Sequence, residues 1–174
     1  MGGYPVETLA EDMDLTWTLY RKNIGRVLFV ADAMAYTDDP KTFKQMKAQL
    51  SRWSCAYYEN IRKHYIGLWR TNKRAWGFVT VGLVDSITGT FWYPILAVVA
   101  FFRPLWAAGA FFLDIGFLAA VTSVGAYRQR MVRRMLSFMP HFVMLRITNT
   151  FFYMKYLVLT GILGRSIGTY VKGH

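Results

Sequence analysis

The strongest constraint in this sequence is a pair of long apolar segments divided by one short break. Residues 76–102 carry a single charged side chain, Asp85, and residues 105–126 carry only Asp114. As a helix the first segment would run about 40 Å at about 1.5 Å per residue, enough to cross a hydrocarbon core of about 30 Å with some tilt. Arg103-Pro104 makes a tight break between the two, so together they read as a transmembrane helical hairpin. Hydrophobic residues make up 54% of the 174, and their concentration in the second half suits lipid better than a larger soluble core.

Charge placement supports that reading and sets its orientation. Arg62, Lys63, Arg70, Lys73 and Arg74 precede the hairpin, and Arg128, Arg130, Arg133 and Arg134 follow it. Both ends are therefore expected on the cytoplasmic side, with Arg103 at the tip as a lone opposing charge. The expected location is the cell (inner) membrane, multi-pass, with the N-terminal segment and C-terminal tail cytoplasmic. Residues 1–40 hold seven acids against three bases, a net −4, so the remainder of this +11 chain carries +15. Because those bases cluster around apolar spans, membrane lipids are the expected partner and nucleic acid is not. Residues 1–10 include Pro5 and Glu7 and have neither a basic start nor an apolar run, so they do not form a secretory signal.

Cys55 is the only cysteine, which excludes an intramolecular disulfide. His64, His141 and His174 have no metal-ligand spacing and read as surface or interfacial residues. No metal site is expected in this chain.

The chain before the hairpin divides in two. Glu7–Asp14 gathers four acids ahead of Leu15, Trp17, Leu19 and Tyr20, which predicts a helix of about three turns ending near Asn23–Gly25. Arg26–Asp32 is short, β-branched and bounded by turn formers, and predicts a buried strand. From Pro40, Phe43, Met46, Leu50 and Trp53 recur at helical spacing, with Gln45, Gln49 and Arg52 on a neighbouring face. A second amphipathic helix is expected over Ala56–Trp69. Both suit a membrane interface, although a surface helix on a soluble core has the same periodicity. After the hairpin, the apolar run from Pro140 to Leu163 is interrupted by Arg146, Asn149 and Lys155. An interfacial or re-entrant helix is expected there, with a third span as the alternative.

Three local features bear on chemistry. Glu11-Asp12 opens a helix, Gln49-Leu50-Ser51-Arg52-Trp53 lies on an amphipathic helix, and the hairpin follows directly. Taken singly, the first is also simple helix-start charge and Arg52-Trp53 is also a common interfacial pair. Asp12-Met13-Asp14 matches a metal-binding Asp-x-Asp pattern that arises often by chance. In this order, however, Gly2-Gly3, Glu11-Asp12-Met13-Asp14-Leu15, Val27–Asp32 and Gln49–Trp53 resemble the membrane-bound processive family-2 glycosyltransferases. Poly-N-acetylglucosamine, hyaluronan and cellulose synthases belong to that group. Ala10 stands where many members have Thr.

The resemblance implies inverting transfer from a nucleotide sugar to a growing polysaccharide or glycan acceptor. It casts Asp12 as general base, with Glu11 shaping the same pocket. Gln49, Arg52 and Trp53 match the QxxRW segment that closes over nucleotide and acceptor, where a guanidinium offsets charge on the departing diphosphate. Phe91, Trp92 and Tyr93 fit either sugar stacking along a polymer path or a membrane aromatic belt. The fold implied is mainly α, a membrane protein with a partial GT-A α/β remnant of one helix and one strand. Its expected organisation is a catalytic-domain remnant over 1–39, interfacial helices over 40–74, the hairpin over 75–127, and a basic loop, interfacial or re-entrant helix and tail over 128–174.

The family's nucleotide-binding half does not precede Met1, so the chain alone is expected to be inactive and to pair with that half or with a full-length synthase. Mg²⁺ or Mn²⁺ is implied for the complete enzyme only. Two other functions remain: a non-catalytic membrane protein that docks on and modulates a synthase, and a membrane anchor with no carbohydrate role.

Overall fold

The computed structural model describes residues 9–128 and 131–167 apart from 26, 29, 31, 32, 34–37 and 39. Among them the fold is helical: α1 (Glu11–Lys22), α2 (Phe43–Thr71), α3 (Lys73–Phe102), α4 (Pro104–Arg128), α5 (Val132–Ser137) and α6 (Met139–Tyr156), which widens into a π-helical stretch over Leu157–Ile162. The chain forms two compact units. One comprises the residues up to Ser86 with those from Phe152 onward, and the other is Ile87–Phe151.

In the first unit, α1 packs on α2, and α2 also packs on the π-helical stretch. Helix α1 stops where sequence predicted, because Asn23 adopts a left-handed conformation (φ 53°) and returns its N–H to the Leu19 carbonyl. Thr42 and Gln45 form a reciprocal cap at the start of α2: the Thr42 hydroxyl accepts from Gln45 N–H (3.2 Å), and Gln45 Oε1 accepts from Thr42 N–H (3.1 Å). Gln45 is thus spent on capping rather than shared with the Gln49 and Arg52 face.

The two amphipathic helices expected over 43–53 and 56–69 are one continuous helix. Nothing in Ser54-Cys55-Ala56 breaks it, and all three are buried. The predicted stripe is only partly the buried one, since Leu50 is buried while Phe43 and Trp53 are exposed. Asn72 then ends α2 and starts α3, taking Leu68 O with its N–H and accepting Ala75 N–H on Oδ1 at 3.1 Å. Cys55, Tyr58 and Tyr156 form the core, with Tyr57, Leu83, Tyr153 and Leu157 among the side chains packed around it. Gly164 closes the π-helical end at φ +69°, beneath the Arg62 guanidinium.

The predicted strand at Arg26–Asp32 is not observed. Its described residues 27, 28 and 30 belong to no strand, and Leu28 and Val30 lie exposed. A lone strand leaves its backbone donors and acceptors unpaired, and no strand exists among the described residues to receive it. The rest of that segment, with Gly2-Gly3 and the terminal tail, lies outside the described residues.

Helices α3 and α4 are each long and apolar enough to cross a membrane. Their large apolar side chains face outward: Phe101 is 84% and Leu105 86% exposed. Pro94 stands inside α3 without ending it, although it removes the donor that would meet the Thr90 carbonyl. In the second unit Tyr93 joins α3 to α4 by donating to Asp114 Oδ2 (2.9 Å), and Arg146 on α6 donates to Asp114 Oδ1 (3.1 Å). The segment expected as one interfacial or re-entrant helix over 140–163 is helical throughout, starts at Met139 and ends in the π turn.

Candidate functional site

Glu11 and Asp12 occupy the first turn of α1, both exposed. Neither is the cap, since the residue before the helix is Ala10, with no side-chain cap bond. Asp12 Oδ1 instead accepts the N–H of Met13 at 2.8 Å, so its exposed carboxylate sits at the positive end of the helix.

Two residues further on, the environment reverses. Asp14 is fully buried, with Lys63 Nζ on Oδ2 at 2.9 Å and His64 Nε2 on Oδ1. Burial alone would raise its carboxyl, but hydrogen bonds from His64 and Lys63 and their charge prevail and hold it below the ordinary carboxylate value. Burial lowers the His64 imidazole, against the opposing pull of Asp14. The consistent assignment is an Asp14 carboxylate paired with Lys63 ammonium, and a neutral His64 donating from Nε2. Trp17 sets its ring edge-on to both Tyr57 (6.5 Å) and His64 (6.1 Å), and a Cβ on Gly67 would meet Arg21 Cδ at 2.5 Å. Asp14, Trp17 and Arg21 thereby seat α1 on the later half of α2.

This arrangement bears on the Asp12-Met13-Asp14 pattern. Both oxygens of Asp14 are committed to protein donors, Lys63 and His64, and among the described residues no three His, Cys, Asp or Glu come together as a metal site. The two aspartates therefore do not fit a divalent ion.

Gln49 and Arg52 are half-buried on α2 and Trp53 is 52% exposed. Arg52 precedes His64 by twelve residues, about 18 Å along the helix. Helix α1 is thus anchored some three turns beyond the Gln49–Trp53 segment, though both belong to the same compact unit. A profile described as glycosyl transferase family group 2 matches residues 1–164, and so covers Glu11-Asp12, Gln49–Trp53, α3 and α4.

The chain belongs to glycosyl transferase family group 2. Its membership supports glycosyl transfer in general, with nucleotide-sugar and acceptor substrates. Neither a curated protein nor a solved structure matches the chain.

Sequence reasoning missed the Asp14–Lys63–His64 cluster, having placed His64 at a surface or interface. It is instead completely buried, because α1 lays a carboxylate over it. The available signal was Asp14 itself, an acid on the same helical face as Trp17 and Arg21. Its partners lie about fifty residues away, beyond any local pattern.

A second buried node joins α2 to the π-helical stretch. Thr160 donates to Arg165 O at 2.8 Å and meets Cys55 Sγ at 3.3 Å, while Arg62 Nη1 donates to Thr160 O at 2.9 Å. Burial pushes the Cys55 thiol up, so this cysteine acts as an inert packing group.

Proposed function

We propose that this family-2 chain takes part in inverting sugar transfer at a membrane surface, from a nucleotide sugar to a glycan acceptor. In this reading Asp12 removes the proton of the acceptor hydroxyl as its oxygen attacks the anomeric carbon, and Glu11 shapes the same pocket. Gln49 and Trp53 hold the nucleotide and acceptor, while Arg52 offsets the charge that grows on the departing diphosphate. The observation that carries the reading is the family match from residue 1 to 164, which takes in every one of these positions. The exposed, solvent-directed carboxylate of Asp12, beside a buried and neutralised Asp14, favours Asp12 as the base.

The membrane part rests on α3 and α4. Both are long and apolar with very little of that surface buried within the protein, which favours hydrocarbon over water as their surroundings. The bases flanking them favour cytoplasmic ends.

Incorporation of labelled sugar by membranes containing the chain tests the proposal, with UDP-sugars and Mg²⁺ or Mn²⁺ supplied. Chain-dependent incorporation should fall by about 10²–10⁴ in Asp12→Asn. Equal incorporation by that variant would remove Asp12 from the role of base. No chain-dependent incorporation even when a family-2 nucleotide-binding half is supplied would remove the transfer reading and leave a protein that docks on and modulates a synthase.

A further inference from the structure

The second unit contains a groove that the sugar chemistry does not use. It has a volume of about 730 Å³, within the range of about 300–1,000 Å³ typical of small-molecule sites, and lies among the end of α4, α5 and the start of α6. Its walls are hydrocarbon: Met135, Phe142 and Leu145 line it, and on α4 the only polar wall residue, Thr122, turns its hydroxyl inward to the Leu118 carbonyl at 2.6 Å. Two polar side chains complete the lining, Arg134 and His141, both exposed. His141 is held beside the Phe138 ring at 5.8 Å.

We propose that this groove binds one anionic phospholipid of the bilayer, its acyl chain against Met135, Phe142 and Leu145 and its phosphate at Arg134 and His141. The lining separates into an apolar wall and a cationic rim, which is the division that an amphiphile with a negative head requires. A guanidinium pairs with phosphate through parallel N–H donors, and an imidazole N–H adds a further donor. Location agrees with chemistry, since Thr122 lies in the last two turns of the apolar α4, where a spanning helix meets the headgroups. The basic sequence Arg128, Arg130, Arg133 and Arg134 raises the local concentration of anionic lipid. A sugar would find almost no hydrogen-bonding wall here, and a soluble apolar ligand would leave Arg134 unused. The inference rests on the membrane reading of α3 and α4, and not on the assignment of Asp12.

The test is photocrosslinking in phosphatidylcholine nanodiscs that contain a small fraction of phosphatidylglycerol with a diazirine in its acyl chain, mapped by mass spectrometry. Adducts should concentrate between residues 131 and 145 and be displaced by unlabelled phosphatidylglycerol but not by inorganic phosphate. Arg134→Gln should weaken labelling about fivefold, the weight of one basic side chain at an anionic interface. Leu145→Trp, which fills the groove while leaving Arg134 in place, should weaken it at least as much. Adducts spread evenly over Phe112, Leu113 and Phe117 on the α4 surface, or unchanged in both variants, would overturn the site while leaving the membrane reading standing. Absence of adducts anywhere on the chain would overturn both.

Discussion

His64 Nε2 meets Asp14 Oδ1 with both side chains completely excluded from solvent, and this contact joins α1 to the later half of α2. Lys63 completes the arrangement from the solvent edge, with a third of its side chain still exposed. A buried carboxylate with two donors is tolerated because each oxygen is satisfied, whereas removing it leaves an ammonium and an imidazole facing a void. Asp14→Ala should therefore destabilise the first unit by about 2–3 kcal/mol, and Asp14→Asn by less. Denaturant unfolding of the purified protein in nanodiscs measures both.

The same contact makes stability depend on pH in a defined direction. Burial lowers His64 below its ordinary value of 6.5, and the cations Arg21 and Lys63 reinforce this against Asp14. The unfolded chain then binds a proton that the folded chain refuses, so stability is complete above pH 6.5 and falls as pH drops below it, by at most about 1.4 kcal/mol per pH unit. Asp14 is also held below its ordinary 3.8, and its contribution is present above that value and lost at lower pH. His64→Gln keeps a donor for Asp14 and should abolish the loss that begins at 6.5 while retaining the lower one. An unaltered profile in that variant would assign the titration elsewhere.

Asp114 and Arg146 pose a different energetic question. Asp114 lies eleven residues into α4, about 15 Å from its start, and receives both Arg146 and Tyr93. In hydrocarbon the pair has no water to compete with, and a double-mutant cycle of Asp114→Asn with Arg146→Gln should give a coupling of about 1–3 kcal/mol. A pair in water, with Arg146 this exposed, would give less than about 1 kcal/mol. The cycle thus reports the medium around α6 as well as the bond.

Topology has its own readout. Cys55 is buried, so single cysteines introduced elsewhere can be labelled over a low background. Under the hairpin proposal, membrane-impermeant maleimide should reach Arg70→Cys and Met131→Cys only from the cytoplasmic side, and Arg103→Cys only from the opposite side. All three reacting from one side would remove the hairpin.

Which parts of the molecule were legible in sequence follows from the range of the interactions involved. The end of α1 at Asn23 and both apolar helices were readable because caps and hydrophobic length are local properties. The unity of α2 was hidden by polar residues on its buried side. Leu50, Ser54, Tyr58, His64 and Leu68 recur along its whole length, but Ser54 and His64 interrupt the apolar pattern that would have marked one helix. The strand at 26–32 had the right composition, yet a strand is a property of a pair, and the described residues include no partner. His64 was misplaced for the same reason, since an imidazole is polar by type and becomes a core residue only when a distant carboxylate covers it. For the candidate site, Glu11, Asp12, Gln49, Arg52 and Trp53 were chosen by order and spacing, which carry no information on the separation between α1's seat and Arg52.

Gly164 offers the most direct test of the packing at the end of the π-helical stretch. Its φ of +69° lies in the left-handed region, where a side chain is disfavoured by about 1 kcal/mol, and a Cβ there would come within 2.3 Å of Arg62 Nη1. That guanidinium is held in place by its bond to the Thr160 carbonyl, whose own hydroxyl supports Cys55. Gly164→Ala should therefore cost more than the backbone term alone, about 2 kcal/mol, and should expose Cys55 to thiol reagents. Arg62→Ala, which removes the clash, should return the alanine penalty to about 1 kcal/mol when combined with it. A penalty that stays the same in the Arg62→Ala background would mean that the two residues do not interact.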